Sequence, residues 1–304
     1  MVTVIGGNGV TLKKLMLRLG FPKTESVHDR ASITGVFNAS FTTGQLYERV
    51  PNWIHNLPMI NKKLVANKLT ALQNMSMAGM EDNVPEFSLE PRDNGAWISK
   101  PYASQGGQGI ERYVNGLRVP MGKYLQRDVK KFREFRAHVG LWLDNPVFTI
   151  QEKKPKEELW NATYPAGDHE YEWPLHNEAM RGFLPVTWNI ESGFYFKRMT
   201  TPDNRAEKVD RFPLIGRIEK VGINAIKALG YQYGAVDILM SYDRKLYVVE
   251  VNSHPAIKNP NSVDIYNEAL RPLQGISAQE FRTLVGVDYV AGTSTVTLRR
   301  TTHV

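Results

Sequence analysis

The 304-residue chain contains no cysteine. That excludes disulfides, thiolate metal ligands and cysteine nucleophiles, and it fits a reducing compartment such as the cytoplasm. No apolar run reaches the length of a membrane span, so no membrane partner is expected. The opening MVTVIGGNGV has neither the basic n-region nor the long apolar h-region of a secretory signal. There is no internal repeat, no low-complexity tract, no G-x-S-x-G nucleophile elbow and no Walker GK[ST]. What is present is 42% hydrophobic and 23% charged residues, enough for one large core or two smaller ones.

The formal net charge is +7. A basic balance suits phosphate-rich ligands or nucleic acid, and it also serves plain solubility. The basic residues are not gathered in a tail. They thicken between Lys123 and Arg136 and again in QEKKPKEE (151–158), where acids interleave with them. Nucleic acid is therefore not expected as a partner, although the basic charge would allow it.

Along the chain, VTVIG (2–6) reads as a short strand running into GGNG, and TLKKLMLRLG has helical spacing that stops at Gly20 and Pro22. The glycines lack G-x-G-x-x-G spacing, so a dinucleotide fold is only weakly indicated. Residues 51–60, with two prolines, read as a connection, and 61–79 reads as a helix ending at Gly79. AWISKPY (96–102) is a strand entering the turn SQGGQGI, and strand-like runs follow at 112–119, 123–129 and 135–143. The last of these turns at DNP into VFTIQEK (147–153) as a hairpin. Residues 155–187 are irregular and rich in Trp, Tyr, Pro and His. A helix from Leu214 to Leu229 precedes two strands, GYQYGAVDILMS and KLYVVEVNS, joined by YDRK. A helical piece spans about 262–283, and the tail ends in a β-like TSTVTLRR. The order is α+β with antiparallel hairpins rather than strict β-α-β alternation.

The two late strands carry the most telling residues. In AVDILMS, Val236, Ile238 and Met240 share one face, while Asp237 and Leu239 share the other. In LYVVEVNS, strict alternation puts Val248, Glu250 and Asn252 together. Pairing about the YDRK turn sets Asp237 opposite Glu250. Opposed carboxylates repel unless a cation lies between them. Two carboxylates and an amide oxygen make a partial shell for Mg²⁺, whose remaining positions go to water and phosphate oxygens. The pattern alone leaves a second reading open, in which these acids simply point at water. Lys100 likewise reads either as an ordinary strand-end lysine or as a phosphate-binding cation. In the second case the glycines after it, Gly106, Gly107 and Gly109, let backbone N–H groups close over phosphate oxygens.

In this order, the segments from about Asn61 to Ile257 resemble the ATP-grasp superfamily of ATP-dependent carboxylate–amine ligases. NKLTALQNMSMAG…VP resembles the family's N-K-x(10)-G helix with its following strand, and WISKPYASQGGQGI the lysine with its flexible Gly-rich loop. YLQRDV falls at the hinge strand, and KFREFRAHVG and VFTIQEKKPK resemble the next two strands. WNIESGFYF resembles the N-x(3)-G segment, and GAVDIL…YVVEVNSHPAI the metal end. Small bacteriophage ATP-grasp proteins are similar in FREFRAHV, IQEKK and NIESGFYF.

The resemblance implies an α+β ATP-grasp fold, two lobes gripping ATP, behind a small α/β amino-terminal domain. The expected divisions are 1–60 (amino-terminal domain), 61–125 (first lobe with the Gly-rich loop), 126–262 (second lobe with the metal site) and 263–304 (extension). It implies ATP and one or two Mg²⁺, or Mn²⁺, as cofactors, with Asp237, Glu250 and Asn252 as metal ligands. Lys68, Lys100, Ser104, Gly106, Gly107, Gly109, Gln126 and Val129 would contact the nucleotide. Arg136, Lys153, Asn189 and Arg198 would face the transferring phosphoryl group or the acyl intermediate. The partners implied are a carboxylate and an amine: amino acid, peptide or protein tail.

Three departures stand out. Few residues separate Val84 from Lys100, Trp188 stands where relatives often carry Arg, and the amino-terminal domain is small. Arg181 and Arg198 are the candidates for the missing cation. The expected activity is ADP-forming amide ligation. A kinase on the same fold and a non-catalytic nucleotide-binding module are the alternatives.

Overall fold

A computed structural model describes the chain except residues 8–9, 66, 104–107, 156–193, 201–203, 205–206, 209–211, 256, 258–259 and 286–304. Ser104, Gly106, Gly107, Asn189 and Arg181, the 155–187 region beyond its first residue, and the carboxy-terminal β-like run therefore lie outside the described residues.

The first structural body is a parallel three-stranded sheet of β1 (Val2–Ile5), β2 (Gly35–Asn38) and β3 (Met59–Ile60), in that order. Helices α1 (Thr11–Arg18), α2 (Thr43–Arg49) and α3 (Asn52–His55) connect them. The segment 51–60, expected as a bare connection, thus holds a short helix and an edge strand. Pro51 sits at the N-cap of α3, the end of a helix that tolerates a residue without an N–H.

Helix α4 (Lys68–Met77) is shorter than the expected 61–79, because the Asn67 side chain accepts the Thr70 amide and fixes the start. A second sheet follows, in the order β4 (Phe87–Ser88), β7 (Lys123–Arg127), β5 (Trp97–Pro101), β6 (Glu111–Arg112). The expected strand at 112–119 is confined to β6. Gly116 then takes a φ of +80° in a turn, which ends the ladder.

The third sheet has the order β10 (Phe194–Arg198), β9 (Val147–Pro155), β8 (Lys131–Gly140), β11 (Tyr233–Ser241), β12 (Leu246–Asn252), all antiparallel. Helix α5 (Pro213–Ala228) covers one face. Its Ile218, Val221 and Ala225 pack with Ala137, Val139, Ile150, Val236, Ile238 and Val248 in the largest core, which α4 extends through Leu69, Leu72 and Met75. Burial of this apolar surface is what turns the other sheet face, the charged one, toward the second sheet.

The carboxy-terminal helical stretch divides into α6 (Pro260–Leu270), α7 (Pro272–Gly275) and α8 (Ala278–Val285). Tyr266, Leu270, Leu273 and Phe281 share a core with Val4, Leu12, Phe37, Phe148 and Tyr233. The amino-terminal sheet and the carboxy-terminal helices are therefore packed together, against the end of the third sheet.

Candidate functional site

Four cross-strand registers align into one row on the charged face of the third sheet. Arg198 pairs with Gln151, Gln151 with Arg136, Arg136 with Asp237, and Asp237 with Glu250. Four sequence-predicted residues from four strands thus meet side by side. Asn252 lies in the next row, opposite Ala235, and Phe196 pairs with Lys153 in the row on the other side.

One expectation about this face is corrected. Strict alternation grouped Val248 with Glu250, but the β11–β12 ladder shifts between Asp237 and Ile238, so that Val248 faces Ile238 while Glu250 faces Asp237. The extra residue, Val249, forms a β-bulge. It sends Val248 into the core and keeps Glu250 and Asn252 on the charged face.

The row is tightly paired. Arg136 donates from Nε to Asp237 Oδ1 (2.6 Å) and from Nη2 to Oδ2 (2.8 Å), a bidentate charge-assisted contact. Lys153 Nζ lies 3.9 Å from the same carboxylate and donates to Glu134. Lys131 also donates to Glu134, at 2.8 Å. Burial alone would raise the Asp237 carboxyl, but Arg136 and then Lys153 outweigh it and hold it well below the usual carboxylate range. Burial likewise opposes ionisation of Glu134, and Lys131 and Lys153 overcome it. The aromatic ring of Phe196 supports both cations, with Arg136 Cζ 4.7 Å and Lys153 Nζ 5.5 Å from its centroid.

The first lobe contributes from the opposite side. Lys100, on β5, and Gln126, on β7, share a face of the second sheet, and Lys100 Nζ donates to Gln126 Oε1 at 2.9 Å. Burial pushes Lys100 down to about 8, against the pull of Glu250 and Glu134. Those two acids belong to the third sheet, so the lysine looks across the cleft. Lys68, the first residue of α4, reaches Glu250 at 3.4 Å. Gly109 has a φ of +71°, and a Cβ there would lie 2.9 Å from Pro101 Cγ, so this end of the loop needs glycine. Val129 follows β7 and lines a cavity of about 460 Å³ with Pro85, Arg127, Ser241 and Tyr247. None of the charged row lines that cavity.

Sequence reasoning assigned no role to Glu134, Lys131, Gln151, Phe196 or Tyr124. The signal for Glu134 was within reach. Phe135, Ala137 and Val139 mark the core face of β8, so Glu134, Arg136 and His138 must share the other. His138 is buried one step from Arg136, contacting Tyr266 and donating from Nε2 to Gln151 Oε1 (3.2 Å). Burial and then Arg136 lower it to about 4, which keeps it neutral.

The donor set can be weighed against a divalent cation. No cluster of three His, Asp or Glu side chains suited to a metal occurs among the described residues. Asp237 and Glu250 are two hard oxygen ligands in register, and Asn252 follows them on the same strand face. The cations around them, Lys68, Lys100, Arg136 and Lys153, suit the phosphate oxygens that would fill the remaining positions. Opposite, the Tyr124 hydroxyl is fully buried with no hydrogen-bond partner among the described residues, on the Lys100 face of its sheet. The residues fit a magnesium–triphosphate complex.

With one antiparallel sheet carrying a buried lysine and a second carrying acids and cations, the chain has the ATP-grasp fold. It is similar to the ATP-grasp ligase PsnB complexed with a minimal precursor, at 12% identity over 90% of this chain and 98% of that one, with a TM-score of 0.51. PsnB complexed with precursor peptide PsnA2 and AMPPNP aligns at 12% identity over 89% and 97%, with a TM-score of 0.50. No family model and no curated protein matches the sequence. No helix among the described residues is long and apolar enough to cross a membrane.

Proposed function

We propose that the protein is an ATP-dependent carboxylate–amine ligase that works through an acyl phosphate and uses Mg²⁺. The observation that carries this reading is the continuous row Arg198–Gln151–Arg136–Asp237–Glu250, facing Lys100 across the cleft. Asp237, Glu250 and Asn252 hold the metal, which supplies charge neutralisation on the phosphate oxygens when bound. Lys68, Lys100, Lys153 and Arg136 meet the phosphates, and Gln126 and Val129 lie along the base. Arg198, at the β10 end of the row, orients the substrate carboxylate.

A carboxylate oxygen attacks the γ-phosphorus, the bond to the β–γ bridging oxygen breaks, and ADP leaves. The amine nitrogen then attacks the acyl carbon, loses a proton, and displaces phosphate. The protein supplies positioning and fixed charge, and no nucleophile of its own. Likeness to PsnB, solved with a precursor peptide, supports a peptide as one substrate.

The test is ADP and phosphate release with Mg²⁺, screened over amino acids, peptides and protein tails. The expected products are an amide, ADP and free phosphate in equal amounts. A phosphorylated product without free phosphate would mark a kinase instead. Glu250→Gln should abolish turnover, and full activity in that variant would remove the metal assignment.

A further inference from the structure

Every acid proposed for the metal is already held by a cation proposed for the phosphates. Arg136 occupies both oxygens of Asp237, at 2.6 and 2.8 Å. Lys68 stands 3.4 Å from Glu250. Asp237 is only 4% exposed, so its guanidinium partner cannot be replaced by solvent at low cost. Resting on the ligase reading, we propose that Arg136, assisted by Lys68, is a resident counter-ion that bars free divalent metal from the acid pair. The site then admits metal and triphosphate only together.

The physical reason is partner exchange. A cation arriving alone must displace Arg136 from Asp237 and leave a buried guanidinium without an anion. A phosphate arriving alone must draw Arg136 away and leave the buried Asp237 carboxylate with Lys153, 3.9 Å off, as its remaining cation. Either half leaves a buried charge short of its closest partner. When both arrive, the metal takes the carboxylates, the phosphates take Arg136 and Lys68, and no charge is stranded. Phe196 can keep the guanidinium plane supported through the exchange, since its ring lies 4.7 Å from Arg136 Cζ. The ion pairs therefore make the site specific for the metal–nucleotide complex over either component.

The experiment is a Mn²⁺ titration of the full chain read by electron paramagnetic resonance, with and without AMPPNP. Wild type should bind free Mn²⁺ weakly and the Mn²⁺–AMPPNP complex well. Arg136→Gln should tighten free Mn²⁺ by roughly 5- to 150-fold, the range of typical site-to-site coupling. Lys68→Gln should do so to a smaller extent, because Lys68 is farther from its acid. The added affinity should vanish in Arg136→Gln/Glu250→Gln, which locates the metal. If Arg136→Gln fails to fold, Lys68→Gln and the wild-type comparison still decide. The proposal is overturned if wild type binds free Mn²⁺ as tightly as the complex, or if folded Arg136→Gln leaves Mn²⁺ affinity unchanged. Failure of wild type to bind the complex at all would instead overturn the nucleotide-site reading on which it rests.

Discussion

Lys100 carries a charge that its surroundings penalise, and that penalty has two opposite consequences. Burial brings it to about 8 from the ordinary 10.5, so between those values the unfolded chain binds the proton and the folded chain does not. Its contribution to stability therefore rises as pH climbs through this window. Nucleotide affinity should move the other way, because the phosphates need the protonated form. AMPPNP–Mg²⁺ affinity is expected to fall about tenfold between pH 7 and pH 9, one decade per pH unit beyond the midpoint. Titration calorimetry at both pH values checks this, and a flat profile would deny Lys100 its phosphate. Lys100→Met should separate the two effects. Its melting temperature at pH 7 should equal or exceed wild type, while affinity drops by about 1.5–3 kcal/mol, the usual loss of a hydrogen bond to a charged group. Tyr124 gives a second test of the same wall of the cleft. Its hydroxyl has no partner among the described residues, so Tyr124→Phe should stabilise the free protein by about 1 kcal/mol. If the hydroxyl serves the bound complex, the same change weakens AMPPNP–Mg²⁺ binding by about 0.5–1.5 kcal/mol. A variant that melts higher and binds unchanged would leave Tyr124 a packing residue.

At the scale of elements, the sequence spoke clearly where one rule decided and poorly where two competed. The β11–β12 hairpin was legible because alternating Val236, Ile238 and Met240 leave Asp237 on the other face, and the YDRK turn fixes its partner. The bulge at Val249 was not legible, since an extra residue in a strand leaves no trace in composition. Alternation therefore grouped Glu250 with Val248 when the two lie on opposite faces. Lys100, Arg136 and Arg198 could be nominated from their segments, yet that they face a common cleft depends on long-range register, which no local pattern encodes. The β3 strand was missed because two residues between prolines and a turn carry too few side chains to show a period. The helix α5 illustrates how an element behind the site matters to it. A Cβ at Gly222 would meet the Ala137 Cβ at 3.2 Å and Val139 Cγ2 at 3.6 Å, so α5 lies close against β8. Gly222→Val is expected to push the helix off the strand that carries Arg136 and to cost about 1–3 kcal/mol, the range for overpacking. Chemical denaturation checks the figure. No loss of stability would mean that the helix shifts freely, and the back of β8 would then not fix the row on its front.

At the scale of the molecule, the parallel sheet and the grasp lobes are joined by a shared apolar core and by well-satisfied polar contacts, and Asn61 is the most concentrated of the latter. It is fully buried with a φ of +55°, in the left-handed region that asparagine tolerates better than most residues. Its Oδ1 accepts the amides of Gln232 and Tyr233 at 3.0 and 3.1 Å, and its Nδ2 donates to the Tyr233 carbonyl at 3.0 Å. Its own amide donates to Gln232 Oε1 at 2.8 Å, and its carbonyl accepts from Asn38 at 2.9 Å. One residue thus ties β2 and β3 to the first turn of β11, four residues before Asp237. The carboxy-terminal helices reinforce the same junction, since the Phe281 ring occupies the space a Cβ on Gly35 would need. Asn61→Ala removes the bridge, strands two buried amides and places a Cβ-bearing residue without a compensating side chain in a left-handed conformation. A loss of roughly 3 kcal/mol or more is expected, at about 1–3 kcal/mol for each unsatisfied buried group. Asn61→Gly keeps the backbone at ease and should recover about 1–2 kcal/mol of that loss. Because Val4, Leu12 and Phe37 share a core with Phe148 and Tyr233, the loss should appear in calorimetry as one transition that falls as a whole, and AMPPNP–Mg²⁺ should still raise it. A separate earlier transition for the parallel-sheet body, with nucleotide raising only the later one, would show instead that the shared core does not couple that body to the grasp lobes and that the charged row stands without the latch.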